Sequence, residues 1–248
     1  MENNRLKCVA ISDLHGYLPK NLPEGDVLCI CGDIVPLDYQ RDLVMSIAWF
    51  CLDFNKWANS LPYKKVIFIA GNHDFFLEEI GPKHGKSASA VMKKLLPGVH
   101  KGESKLVYLC DNSVEIEGKR FYGTPWIGDL INWAFYKPEE STDTCKGLKD
   151  TFANIPKKCD VILTHMPPRY MGLGEVIQGG NFNTGSDYGS QVLADATVGT
   201  EKQFQYLLCG HVHSGCHMPV CSNGRKLVNV SIKDENYKVN YEPFVFEV

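Results

Sequence analysis

No stretch of the 248-residue chain approaches the roughly 20 consecutive apolar residues needed to span a bilayer. The opening residues, Met1-Glu2-Asn3-Asn4-Arg5, lack the basic and apolar regions of a secretory signal. The expectation is a cytoplasmic protein with no membrane partner. Charge of one sign is also lacking. Against 26 Lys and Arg stand 29 Asp and Glu, a net charge of −3, which gives no long-range field for a nucleic-acid polymer or an anionic surface. No repeat, low-complexity tract or linker interrupts the chain, so one domain over residues 1–248 is expected. With 44% hydrophobic and 22% charged residues, disordered, collagen-like and coiled-coil classes are excluded. The ten cysteines contain no C-x-x-C pair, which removes the usual spacing of a structural zinc site. Several lie inside apolar runs, such as Cys29 and Cys31 in Val27-Leu28-Cys29-Ile30-Cys31, and read as buried free thiols. The single Asn229-Val230-Ser231 sequon is not expected to carry a glycan in the cytoplasm.

What the chain does contain is a recurring unit, a short apolar run that ends in a polar cluster. Leu6 to Ser12 runs into Asp13-Leu14-His15-Gly16, and Asp26 to Cys31 into Gly32-Asp33. Lys65 to Ala70 runs into Gly71-Asn72-His73-Asp74, Asp160 to Leu163 into Thr164-His165, and Phe204 to Cys209 into Gly210-His211-Val212-His213. Such nearly continuous apolar runs read as strands buried on both faces, the habit of a sheet covered by helices. From Asp38 to Ser60 the residues Leu43, Ile47, Phe50, Phe54, Trp57 and Leu61 recur at helical spacing until Pro62 stops them, which predicts a core-facing helix. Ser87 to Leu96 and Cys145 to Ile155 are shorter helix candidates. Val114 to Tyr122 alternates around Gly118 and predicts a hairpin, and Arg225 to Val248 adds two or three strands. Strand–helix alternation followed by a β-rich second half suggests an α/β protein, a four-layer α/β/β/α sandwich of two mixed β-sheets flanked by helices.

Each polar cluster directly follows an expected strand, and where strands run in one sense such loops converge at one sheet edge, where ligands bind. They would gather Asp13, His15, Asp33, Asn72, His73, Asp74, His165, His211 and His213, including five of the eight histidines. Imidazole mixed with carboxylate and amide oxygens suits Mn, Fe, Zn, Co or Ni, whereas an all-oxygen set would suit Mg or Ca. So many ligands exceed the needs of one ion. Two ions about 3.5 to 4 Å apart that share a carboxylate would use them economically.

In this order D-x-H, G-D, G-N-H-D, a strand-ending His and G-H-x-H, spanning Asp13 to His213, resemble the calcineurin-like metallophosphoesterase superfamily. The resemblance implies two divalent transition-metal ions, Mn first, with Fe, Zn, Co or Ni open. One would be held by Asp13, His15, Asp33 and His213, and the other by Asp33, Asn72, His165 and His211, with Asp33 as bridge. A water made acidic by the two cations would attack phosphorus, and His73, beside Asn72 but outside the ligand set, would protonate the leaving oxygen. Asp74 could orient His73 and keep it protonated.

Departures from the superfamily pattern narrow the substrate. Phosphoprotein phosphatases continue G-D with a pattern ending in Asp-Arg-Gly, in which the Arg grips a phosphate dianion. Here Pro36 and Leu37 stand at the Asp and Arg places, so that clamp is missing, and so is the Asp that often supports the ligands near His15. His165-Met166-Pro167-Pro168, the Gly-rich stretch to Gly189-Ser190, the G-H-x-H run, Asn229 to Ser231 and then Tyr237, Asn240 and Pro243 are similar to the brain-type metallophosphoesterase-domain proteins and their bacterial relatives. That group implies a phosphodiesterase of small cyclic-nucleotide or aryl diesters. The Gly172 to Gly189 segment is a candidate loop over the metals, with Asn181, Gly189 and Ser190 as candidate substrate contacts. Arg169, Tyr170 and Phe182 could meet a base or aryl group or simply pack, and Trp126 and Trp133 could line the cleft or belong to the core. His84, His100 and His217 carry no motif. A phosphomonoesterase and a non-catalytic binding scaffold remain alternative readings, and the sequence leaves the oligomeric state open.

Overall fold

The computed structural model describes residues 5–97, 104–177 and 185–248. The apolar runs become strands that stop just before their polar clusters: β1 (Lys7–Ile11), β2 (Val27–Cys31) and β3 (Lys65–Ile69). With β4 (Leu106–Tyr108) and β11 (Phe244–Glu247) they form one sheet in the order β11-β1-β2-β3-β4, parallel except for β11. The second sheet has the order β5-β6-β7-β8-β10-β9, from β5 (Asn112–Ile116), β6 (Lys119–Thr124), β7 (Val161–Thr164), β8 (Tyr206–Cys209), β9 (Val220–Ser222) and β10 (Arg225–Asn229). It is parallel across β6, β7, β8 and β10 and antiparallel at both edges.

Alternation along each strand builds two cores. Cys8, Ala10, Cys29, Cys31, Ile67 and Ile69 face the second sheet, where Phe121, Val161, Leu163, Leu208 and Val228 meet them. The intervening Val9, Ile11, Leu28, Ile30, Val66 and Phe68 pack outward with Phe50, Phe54, Phe76, Val91 and Leu95. Those helix residues come from the crossovers that parallel pairing requires: α1 (Leu43–Trp49), a π-helical turn (Phe50–Phe54), α2 (Asn55–Ser60), α3 (Phe75–Ile80) and α4 (Ala88–Leu95). On the other side α5 (Leu148–Phe152) and α6 (Gln191–Thr197) cover the second sheet. The result is the expected sandwich of two mixed sheets between helical layers.

Local chemistry sets the boundaries. Asp42 accepts the backbone N–H groups of Val44 and Met45, both at 3.0 Å, so the helix expected from Asp38 begins at Leu43. In its first turn Leu43, Val44 and Met45 are exposed, so Leu43 is not the core residue that the periodicity had suggested. The helix expected over Cys145 to Ile155 is confined to Leu148–Phe152, because a turn at Thr142 to Cys145 occupies the chain before it. In the hairpin of β5 and β6, Glu117 and Gly118 both take positive φ, +49° and +78°, the two-residue turn whose twist matches the flanking strands. The tail does not extend the second sheet alone, since β11 returns to pair antiparallel with β1.

All ten cysteines are free thiols, with Cys8, Cys29, Cys31, Cys159 and Cys209 buried, as the apolar runs implied. Asn229 of the sequon is buried and donates to the carbonyls of Leu173 and Val212. No helix among the described residues is long and apolar enough to cross a membrane.

Phe68 is fully buried and stacks on Tyr108 at 5.1 Å between ring centroids, with Phe50 and Phe54 against it. Phe68→Ala is expected to cost about 3–5 kcal/mol through the cavity it opens. Urea unfolding measures this, and a loss below about 1 kcal/mol would contradict the packing described.

Candidate metal centre

The polar clusters after β1, β2, β3, β7 and β8 meet at the shared edge of the two sheets. Their backbone is unusual. Asp13, His15, Asp33 and His211 all adopt positive φ, at +58°, +42°, +52° and +70°, a conformation costly for residues with a Cβ and concentrated where function demands it. Glycines at the start of three motifs make the close approach possible. A Cβ on Gly71 would run into Asp33 Oδ1, and one on Gly210 into Asp13 Oδ2. At Gly32 a Cβ would lie 2.6 Å from His165 Nδ1. The motif glycines thus bring backbone against ligand side chains.

Two groups of donor atoms result. In the first, His213 Nε2 lies 3.5 Å from Asp13 Oδ1 and 3.3 Å from His15 Nε2, which in turn lies 3.7 Å from Asp33 Oδ2. In the second, Asn72 Oδ1 is approached by His165 Nε2 at 2.9 Å and His211 Nδ1 at 2.8 Å, and His165 Nε2 lies 3.4 Å from Asp33 Oδ1. Asp33 gives one carboxylate oxygen to each group. Three of the four imidazoles have their far nitrogen engaged: His165 Nδ1 with the Cys31 carbonyl at 2.8 Å, His213 Nδ1 with the Asp234 carbonyl at 2.9 Å, and His211 Nε2 with Asp129 Oδ2 at 3.0 Å. A ring that donates outward presents a lone pair inward. Once neutral, these rings turn lone pairs toward buried carboxylate and amide oxygens, an arrangement that fits divalent cations. Mixed N and O donors of this kind suit first-row transition ions.

The electrostatics agree. Burial pushes the Asp13 and Asp33 carboxyls up, but the imidazoles around them, His213 beside Asp13 and His165 and His73 beside Asp33, hold both below the usual range. His165 loses charge stability through burial, yet the Asp33 carboxylate overrides this and raises it to about 9. Burial lowers His15 well below its ordinary value. Its Nδ1 is buried with no hydrogen-bond partner, and Pro36, at the place of the supporting Asp, packs against the position of Gly16 instead.

His73 stands against the first group, its ring nitrogen within 4.8 Å of ligand atoms of His15 and Asp33. Its backbone N–H donates to Asp33 Oδ1 at 2.8 Å, its Nε2 is 3.7 Å from Asp33 Oδ2, and its ring lies 4.5 Å from that of Trp133. The expected support from Asp74 is absent from the geometry. Asp74 accepts backbone N–H groups from Ile34, Val35 and Gly71 at 2.8 to 3.2 Å, so its carboxylate locks the loop after β2 to the loop after β3. Burial, and then the charge of Asp33, push it up to about 7. The partner of His73 Nδ1 is Gln40 Oε1.

Of the candidate substrate contacts, Ser190 caps α6, accepting the Leu193 N–H at 3.0 Å, and Gly189 packs against the backbone of Arg169 and Pro168. Both thus have structural work, and the backbone of Ser190 is tied to Pro167, Arg169 and Ala194. Asn181 and Phe182 lie outside the described residues, as does His100. Trp126 belongs to the core, while Trp133 is the tryptophan at the centre. Tyr170 bonds Ser222 and Arg169 bonds the Asp187 carbonyl. His217 stacks on Tyr241 and donates to the His213 carbonyl; His84 pairs with Glu79 on the surface. Sequence reasoning missed Asp129 and Gln40, which belong to no motif, and gave no role to Tyr237, whose half-buried ring meets His15 and His213 edge-on.

Because metal ligands must be deprotonated, a cation entering at pH 7 has to displace the proton that Asp33 stabilises on His165. Mn binding is therefore expected to release protons at pH 7 and to tighten as pH rises from 7 to 9. Calorimetry in two buffers of different ionisation heat reads the release, and a pH-independent affinity with no proton release would contradict it.

The chain matches the calcineurin-like phosphoesterase family over residues 6–215. UPF0046 protein C25E10.12 of Caenorhabditis elegans is 30% identical across 99% of this chain and 82% of its own length. UPF0046 protein T07D4.2 of the same organism is 29% identical across 98% of this chain, which spans 60% of that relative. Human metallophosphoesterase domain-containing protein 1 is 27% identical across 97% of this chain and 70% of its own length. Among solved structures, the phosphopantetheinyl hydrolase of Mycobacterium tuberculosis shares the fold, with a TM-score of 0.53 at 14% identity over 98% of this chain and 95% of that one. With the family matched across most of the chain and its motif residues gathered at one edge of the sandwich, the protein belongs to the calcineurin-like phosphoesterase family.

Proposed function

We propose that the protein is a metal-dependent phosphodiesterase that hydrolyses small diesters, cyclic-nucleotide or aryl, in the cytoplasm. The observation that carries this reading is Asp33, which turns one oxygen to each of two donor groups and lies beside His73. Asp13, His15, Asp33 and His213 would hold one divalent transition ion, and Asp33, Asn72, His165 and His211 the other, with Mn the first choice over Fe, Zn, Co or Ni. Such a pair lowers the pKa of bound water and stabilises charge on phosphoryl oxygens. The remaining work belongs to the chain. Asp129 and the carbonyls of Cys31 and Asp234 fix the tautomers of His211, His165 and His213. Asp74 holds the loops of Asp33 and His73 in register. His73 Nε2, on the side facing Asp33, gives its proton to the leaving oxygen.

The preference for diesters follows from what grips charge. A monoester dianion calls for a guanidinium, and Leu37 stands where the dianion-binding relatives carry Arg. The next arginine, Arg41, is turned onto the rings of Phe75 and Trp133, at 4.3 and 5.2 Å. Trp133, half-buried beside His73, offers a flat wall to an aryl or base-bearing leaving group. The free thiols support a reducing compartment.

With Mn present, bis-p-nitrophenyl phosphate is expected to turn over faster than p-nitrophenyl phosphate, and Asp33→Ala is expected to abolish turnover of both in protein that circular dichroism shows to be folded, though less stable to heat because His165 loses its buried partner. Faster turnover of the monoester would overturn the diester reading. Retained turnover in Asp33→Ala would overturn the metal centre.

A further inference from the structure

His73 needs an orienting partner if it is to deliver a proton, and the carboxylate next to it in sequence is committed elsewhere. The Asp74 carboxylate accepts from the amides of Ile34, Val35 and Gly71. What meets the ring is Gln40, whose Oε1 lies within hydrogen-bond distance of His73 Nδ1. We infer that Gln40 is the positioning residue of the general acid, acting with Trp133 to aim His73 Nε2 at the leaving oxygen; this rests on the reading of His73 as that acid.

Four contacts hold His73, one to its backbone and three to its ring. Its backbone N–H is tied to Asp33 Oδ1 at 2.8 Å. The Trp133 ring lies against it at 4.5 Å and the His15 ring at 4.7 Å. Gln40 accepts at Nδ1. An amide oxygen can only accept, so Nδ1 keeps its proton in both charge states of the ring, and the proton that comes and goes sits on Nε2. That nitrogen is 3.7 Å from Asp33 Oδ2 and thus faces the metal centre. As the bond from phosphorus to the leaving oxygen breaks, that oxygen takes the Nε2 proton. The attacking water forms the new bond to phosphorus, and the proton it sheds restores the ring.

Gln40 is itself held. It sits in the turn between β2 and α1, where the Tyr39 N–H donates to the Pro36 carbonyl at 2.9 Å, the Asp42 N–H to the Tyr39 carbonyl at 2.8 Å, and the Ser46 hydroxyl to the same Tyr39 carbonyl at 2.6 Å. Next to it the Arg41 guanidinium lies over Phe75 and Trp133 and reaches the Asn132 carbonyl at 3.5 Å. The turn therefore ties the acceptor and the aromatic wall to each other. A neutral acceptor also suits the surroundings: Asp13, Asp33 and Asp74 are already buried here, and a further carboxylate would add to that charge.

The test uses two diesters that differ only in the leaving group, methyl p-nitrophenyl phosphate and methyl phenyl phosphate. General-acid help matters for phenol, a poor leaving group, and hardly for p-nitrophenol. In the Mn-loaded protein Gln40→Leu is expected to lower kcat for the phenyl ester about ten- to a hundredfold and for the p-nitrophenyl ester less than about threefold, with metal content unchanged. Gln40→Glu, which keeps an acceptor oxygen, is expected to recover the phenyl ester to within a few-fold. Gln40→Ala provides the same comparison if the leucine variant does not fold. Equal losses on both esters, or no loss on either, would overturn the inference. His73→Ala is run alongside: if it shows the split and the Gln40 variants do not, the inference alone fails, and if it shows no split, the reading of His73 as the acid fails.

Discussion

The structure depends on buried negative charge at the seam between two sheets. Asp13 and Asp33 come from the first sheet, and neither carboxylate reaches solvent. Burying such groups costs several kcal/mol each unless they are paired, and here their pairing runs across the seam. Asp33 faces His165 from the loop after β7, and Asp13 faces His213 and accepts the His211 N–H from the loop after β8. The two sheets therefore dock through the centre as well as through the apolar layer of Cys29, Ile67, Leu163 and Leu208. Cations that compensate the carboxylates would strengthen the same seam. A metal centre in this fold is a joint contribution of both halves.

The strained backbone follows from that constraint. Four residues whose side chains belong to the centre hold left-handed conformations, and Gly32, Gly71 and Gly210 stand where a Cβ would strike a ligand. The tail contributes as well. Asp234 holds His213 through its carbonyl, Glu235 binds the backbone and hydroxyl of Ser214, and Asn229 fixes the Val212 carbonyl. The end of β10 and the segment after it thus brace the last histidine loop before β11 returns to the first sheet.

Much of this was legible in the sequence, for a physical reason. Strands buried on both faces show as continuous apolar runs, and a run that stops at D-x-H or G-N-H-D marks both the end of the strand and the chemistry beyond it. The covering layers, the five motif strands and the gathering of His15, Asp33, Asn72 and His165 all follow from that pattern. The supports were not legible. Gln40 and Asp129 are separated from their histidines by 33 and 82 positions, and only tertiary folding brings them together. Asp74 was misread because adjacency to His73 suggests contact, whereas its side chain turns to the amides of the loop after β2. Leu43 fits the helical stripe but lies in a first turn whose side chains are exposed. Ser190 carries the same signal as a helix cap and as an anion contact, and the hydrogen bond to Leu193 shows the cap.

The central claim is that Asp33 joins two cation sites. Elemental analysis after Mn loading and desalting tests it most directly. The account predicts about two ions per chain in the parent protein and the loss of both in Asp33→Ala, while His213→Ala retains the ion on the Asn72 side. A single ion per chain, or two ions retained in Asp33→Ala, would contradict it.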